Sequence, residues 1–224
     1  IVRNKMYSKP IQVLVQEYIC NGRDSNIEAG NSFNSLDIFV PNKAIQTFKV
    51  RDYGTGLSHE DVIKTFIKFG KSTKRSRSDV IGAYGLGSKS GFAYTDSFMV
   101  TSYFNGIKTQ YLALIAENRK GDIKVLNREE TKEPNGIEVE INLNEESDVE
   151  KFKKAIFRTT AFWNKLPNYT NIMDHEVDAH VPKVCYKNED LMVVDQSNLI
   201  GGKNILCDGV PYPFDTLNNN FNRT

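Results

Sequence analysis

The apolar positions of this chain fall into two periodicities that alternate along its length. Residues 10–24 carry Leu14, Tyr18 and Ile19 in a helical pattern, with Pro10 acceptable in a first turn and Asn21-Gly22 beginning an exit signal. The polar stretch 25–34 reads as a loop, and residues 36–40 and 47–51 read as strands joined by a turn around Pro41-Asn42. Ser58, followed by Glu60 and Asp61, marks a helix start, and Val62, Ile63, Phe66 and Ile67 give that helix its apolar stripe. Residues 71–79 are a basic, serine-rich linker. Strand-like segments follow at 98–104, 109–115, 123–126 and 137–143, and Asn105-Gly106 is a hairpin signal of the kind that needs positive φ. An amphipathic helix over 148–166 stops before Pro167, and short strands at 181–186, 191–194 and 204–210 come after it. No internal repeat is visible.

At 224 residues the chain exceeds one average domain and falls short of two. The change of texture at Pro167 predicts a first domain over residues 1–167 and the start of a second, α+β unit over 168–224. With 39% hydrophobic residues there is enough apolar mass for a core. A net charge of +1 argues against a generally basic nucleic-acid binder, so no specific nucleic-acid partner is expected. No apolar run approaches the roughly 20 residues of a transmembrane helix. Three separated cysteines (Cys20, Cys185, Cys207) cannot make a complete disulfide set, which points to a reducing cytoplasm. A start at Ile1 and an end just after Asn218-Asn219-Asn220 read as a piece of a longer protein.

Three short segments carry chemistry. Glu17, Asn21 and Asp24 are spaced by four and three residues and so line one helical face. A carboxylate there can deprotonate water, and an amide oxygen one turn on suits Mg²⁺, which keeps several waters and shares substrate phosphates. A solvated helix face has the same spacing. Asp52 ends a strand and precedes Gly54 and Gly56, so its carboxylate can accept from an exocyclic amine such as adenine N6 while a flat base approaches bare backbone. A strand-ending Asp-Gly turn is the alternative.

Gly82, Gly85 and Gly87 lead into a helix expected from about Leu86 to Ala93, whose first N–H groups would favour phosphate, with Ser88 and Lys89 adding a hydroxyl and a cation. The spacing is neither the dinucleotide fingerprint nor a P-loop, and a plain tight turn also explains it. Lys71 and Ser72, in the basic linker, read as parts of a lid over a polyphosphate, as a plain loop, or as a nucleic-acid contact. His175 and His180 are five apart, which does not put both on one helical face as a zinc helix requires. Trp163 reads as packing.

In this order the three segments resemble the gyrase, Hsp90, histidine-kinase and MutL superfamily of ATP-binding domains. The resemblance covers about residues 5–165. It implies an α/β fold of Bergerat type, a two-layer sandwich with helices on one face of a mixed sheet and a lid between the second and third segments. It implies ATP and Mg²⁺ as cofactors, with Glu17 matching the general base and Asn21 the Mg²⁺ ligand. Asp52 then matches the adenine-reading acid, Gly54 and Gly56 shape its loop, and Gly82, Gly85 and Gly87 match the phosphate loop. Residues 81–98 further resemble the tailed-phage rIIA family of rapid-lysis and exclusion proteins, and Gly209-Val210-Pro211-Tyr212-Pro213 resembles that family too.

Two departures stand out. Superfamily members often carry Gly-Thr in a late strand, where this chain has Gly136-Ile137. A lysine or arginine that completes hydrolysis is not identified, Lys203 being the nearest guess. The expected activity is slow, Mg²⁺-dependent ATP hydrolysis with lid closure in the host cytoplasm. A homodimer and a host or phage protein partner are also expected. The competing reading is a nucleotide-gated interaction module with little hydrolysis. A histidine kinase is disfavoured, because no helical dimerisation segment with a phospho-accepting histidine precedes the domain.

Overall fold

The computed structural model describes residues 9–67, 87–118, 120–180, 184–187, 192–194, 204–207 and 209–213. The chain forms two compact units. The first holds the described residues up to Ile156 together with Pro167–Ile172, and the second holds Phe157–Leu166 with the described residues from Met173 onward.

The first unit opens with α1 (Pro10–Glu28), which has proline in its first turn and no side-chain cap. It runs past the expected exit at Asn21-Gly22 for a packing reason. A Cβ on Gly22 would stand 2.8 Å from Leu36 Cδ2 and 3.3 Å from Asp52 Cβ, so this glycine lets the helix lie close on the sheet instead of ending it. The strands are β1 (Leu36–Phe39), β2 (Thr47–Asp52), β3 (Ser97–Phe104), β4 (Ile107–Ile115), β5 (Gly121–Glu130), β6 (Gly136–Asn142) and β7 (Asn168–Thr170). They form one sheet in the order β5-β4-β3-β6-β2-β1-β7, in which β1 pairs parallel with β7 and every other pair is antiparallel. The β3–β4 hairpin turns on Asn105 (φ 51°) and Gly106 (φ 78°), as the sequence predicts.

Register aligns Ile38, Val50, Val139, Val100 and Tyr111 across five strands, all of them buried. The helices meet the sheet on this face. Gly22 of α1 lies over Leu36 and Val50, and α2 (His59–Phe66) brings Phe66 to Phe98 at 6.3 Å between ring centroids. Phe152 of α3 (Val149–Thr160) stands 5.5 Å from Phe48. The other face is polar, with Lys49 paired to Glu140 at 2.7 Å and Glu138 at 3.7 Å. The fold is therefore the expected two-layer α/β sandwich. Parity along β2 places Asp52 on the helix face, beneath α1.

In the second unit α4 (Asp174–His180) is followed by β8 (Val184–Lys187) paired with β9 (Met192–Val194). The strand expected over 204–210 is instead a hairpin of β10 (Asn204–Cys207) and β11 (Val210–Pro213), broken at Gly209, whose φ of 76° only glycine adopts freely. His180 stacks on Phe157 and its Nδ1 lies 2.7 Å from the Glu176 carbonyl.

Candidate functional site

Asp52 sits where β2 ends and is almost wholly buried. Its Oδ1 accepts three hydrogen bonds: from the Gly54 N–H at 2.9 Å, the Ile137 N–H at 3.2 Å and the Ser25 hydroxyl at 3.3 Å. Its Oδ2 has no hydrogen-bond partner among the described residues and is not walled off from solvent. Burial pushes the Asp52 carboxyl up, while these donors and the neighbouring Arg51 charge oppose that rise. Arg51 donates to the Asp52 carbonyl and to the Pro134 carbonyl at 2.7 Å, with its guanidinium over the Tyr103 ring at 3.9 Å. Gly136 opens β6, directly ahead of Ile137. Here Ile137 reaches Asp52 with its backbone N–H, and a Cβ on Gly136 would stand 2.1 Å from the Asp52 carbonyl oxygen.

The turn after Asp52 is held by the far end of α1. Asn26, fully buried, accepts from the Tyr53 N–H at 2.8 Å and donates to the Ser35 carbonyl at 2.7 Å. Asn31 donates to the Tyr53 carbonyl at 2.5 Å. Gly54 lies flat on Ser25, with room for no side chain, and Gly56 takes a φ of 71° against the Tyr103 carbonyl.

Along α1 stand Glu17 and Asn21, both half-buried, and Asp24, which is buried. Burial and then the like charge of Asp24 raise the Glu17 carboxyl above its ordinary value, which suits a base working nearer neutrality. Tyr18 beside it donates to the Ser88 carbonyl at 3.0 Å and accepts from the Gly91 N–H at 3.0 Å. This fixes α1 to a 3₁₀ helix over Gly87–Ala93, which replaces the helix expected there.

Ser88 and Lys89 turn toward the C-terminal end of α2, where both donate to the Thr65 carbonyl, at 2.7 and 3.0 Å. Lys89 is a buried residue, and burial pushes the pKa of its ammonium down. Lys71, Ser72, Gly82, Gly85 and Leu86 lie outside the described residues. Tyr94, at the end of the loop, donates to Asp148 at 2.7 Å and accepts from the Asn144 N–H at 2.8 Å, which anchors the segment to the approach to α3.

The structure thus brings Asp52 and Gly54 against α1, the helix that carries Glu17, Asn21 and Asp24, while Gly56 lies against Tyr103 and Gly136; it adds Ser25, Asn26 and Tyr18. A carboxylate with one oxygen saturated and one open, beside bare glycine backbone, can take a planar ligand carrying an N–H donor.

The profile of the histidine kinase-, DNA gyrase B- and HSP90-like ATPase family matches residues 7–147. The chain belongs to that family. It is also 28% identical over 127 residues to the chaperone protein HtpG of Buchnera aphidicola subsp. Baizongia pistaciae (strain Bp), a match covering 50% of this chain and 20% of HtpG. The chain therefore spans about one-fifth of that relative's length. ATP is the ligand expected of such a domain. Among the described residues, no helix is long and apolar enough to cross a membrane.

Proposed function

We propose that this domain binds Mg²⁺–ATP and hydrolyses it slowly. The observation that carries the reading is the Asp52 carboxylate, whose open Oδ2 suits the exocyclic amine of adenine while Gly54 and Gly56 leave the backbone bare for the ring. The donor set on α1 fits the metal: one amide oxygen, from Asn21, is enough for an ion that keeps its waters and shares phosphate oxygens. Bound Mg²⁺ would neutralise phosphate charge. Glu17 would take the proton of the attacking water as that water joins the γ-phosphorus and ADP leaves. Gly82, Gly85, Gly87 and their neighbours would receive the phosphates through backbone N–H groups, with residues 71–79 as the lid. Ser88 and Lys89 would act from their place on Thr65 or be released from it.

Calorimetry with a nonhydrolysable ATP analogue tests the reading. Asp52→Asn should weaken binding by about 10- to 100-fold, the range for losing a hydrogen bond to a charged group, and unchanged affinity would rule the role out.

A second reading is a nucleotide-gated interaction module. The Lys89 cation being engaged on Thr65 favours it, as does the Gly136-Ile137 departure. Single-turnover hydrolysis by this chain, with and without downstream sequence, separates the two. We also place the chain with the phage rIIA family, on the motif over residues 81–98. That membership brings a domain boundary near Pro167, action in the host cytoplasm, a homodimer and a host or phage protein partner as parts of the same proposal.

A further inference from the structure

Ser25 lies three residues beyond Gly22 on α1, in a stretch that the sequence marks as loop. A serine inside a helix ordinarily faces water or returns its hydroxyl to the carbonyl four residues back. Here the hydroxyl crosses to β2 and meets Asp52 Oδ1 at 3.3 Å. The contact is built into the backbone around it. A Cβ on Gly54 would stand 1.9 Å from Ser25 Oγ and 2.8 Å from the Ser25 carbonyl carbon, so the glycine turn closes on the space the hydroxyl fills.

Of the three donors on Oδ1, two are backbone N–H groups of the sheet and its turn, and Ser25 supplies the one side-chain donor. A carboxylate held from only one direction can swing about its Cβ–Cγ bond. Donors converging from the turn, from β6 and from α1 fix which oxygen faces outward. Oδ1 is then saturated and Oδ2 is left as acceptor.

We propose that Ser25 is a specificity-determining positioning residue: its hydroxyl locks Oδ1 of Asp52, so that Oδ2 alone meets the exocyclic amine of the base. The inference rests on the ATP reading above. Ser25 touches the carboxylate and not the ligand, so its effect must travel through the amine contact. A ligand lacking the amine should not feel it. A merely structural serine would change affinity for both ligands alike.

The test measures affinities of the whole chain and of Ser25→Ala for two nonhydrolysable triphosphates. One carries adenine and the other carries purine, which lacks the 6-amino group. The native chain should prefer adenine, and Ser25→Ala should weaken the adenine ligand about three- to tenfold while leaving the purine ligand unchanged. Equal weakening of both ligands, or of neither, overturns the role of Ser25. A native chain that binds both equally tightly overturns the amine contact itself, and the Ser25 proposal with it. Because Ser25→Ala removes one hydroxyl and adds no bulk, the variant is expected to fold, and melting temperatures of the two proteins check this.

Discussion

The two halves of α1 hold the two ends of the site in different ways. The C-terminal half meets the Asp52 turn through backbone and short side chains: Gly22 against the sheet, Ser25 on the carboxylate, Asn26 on the Tyr53 N–H. The N-terminal half is hydrogen-bonded to the 3₁₀ segment by a long side chain, Tyr18, whose hydroxyl bridges Ser88 and Gly91. Short side chains lose little freedom and cannot relocate, whereas a contact through the tip of a tyrosine can be made and broken while the helix stays still. The Asp52 end, proposed to hold the base, is accordingly a fixed mould, and the 3₁₀ end, proposed to face the phosphates, an adjustable one. Ser88 and Lys89 lie at the adjustable end, where both donate to one carbonyl of α2, Lys89 through a long, flexible side chain.

The largest effect should come from Glu17, at the adjustable end. Glu17→Gln keeps the side chain's shape but removes the proposed base, and kcat should fall by about 10²- to 10⁴-fold with ATP affinity retained. Native turnover in that variant would sink the assignment. Its pH dependence has a definite sign. Burial and Asp24 raise the Glu17 carboxyl, so the deprotonated base is lost on acidification at a higher pH than for an ordinary carboxylate. Asp24→Asn removes one of those two causes and should move the acid limb of the kcat profile to lower pH. A limb that stays put would separate Glu17 from the rate.

The fixed mould is probed by adding one methyl group. Gly54→Ala would drive its Cβ to 1.9 Å from Ser25 Oγ and 2.8 Å from Ser25 backbone, where little can yield. Overpacking of this kind costs about 1–3 kcal/mol, read as a lower urea midpoint with an unchanged slope. Gly91→Ala makes the matching change at the other end. Its Cβ would meet the Tyr18 hydroxyl at 2.7 Å and the Phe98 ring at 2.8 Å, groups at the ends of side chains. It should cost less than Gly54→Ala. The reverse order would mean that the two ends do not differ as their contacts suggest.

What could be read from the residues follows the same division. The strands and the sandwich class follow from periodicity, because β2, β3, β4 and β6 each bury every second residue over part of their length, while the strand order is set by tertiary pairing. Asp52 is legible because a carboxylate before two glycines is chemically conspicuous. Ser25, Asn26 and Tyr18 are not, since their partners lie 27, 27 and at least 70 residues away and exist only once α1 lies on the sheet. Gly22 misleads for the same reason: a helix exit and a close helix–strand approach both ask for glycine. The three-residue β7 is too short for any period to mark it, and its parallel pairing with β1 is a tertiary fact. An Asn-Gly pair in the turn of β3–β4 needs no such context.

Tyr18→Phe is the smallest change and the sharpest on the comparison itself. The ring keeps its place beside Phe98, 6.2 Å between centroids, while the Ser88 carbonyl and the Gly91 N–H lose their shared partner. Stability should drop by about 1–2 kcal/mol, the range for one hydroxyl whose partners stay enclosed. The informative quantity is where the binding loss appears. A contact confined to the 3₁₀ end should weaken an ATP analogue more than adenosine, because in the proposed binding mode adenosine would engage the Asp52 turn and nothing of the 3₁₀ segment. Equal losses for the two ligands would show that α1 transmits the change along its length, and the fixed and adjustable ends would then be one cooperative unit.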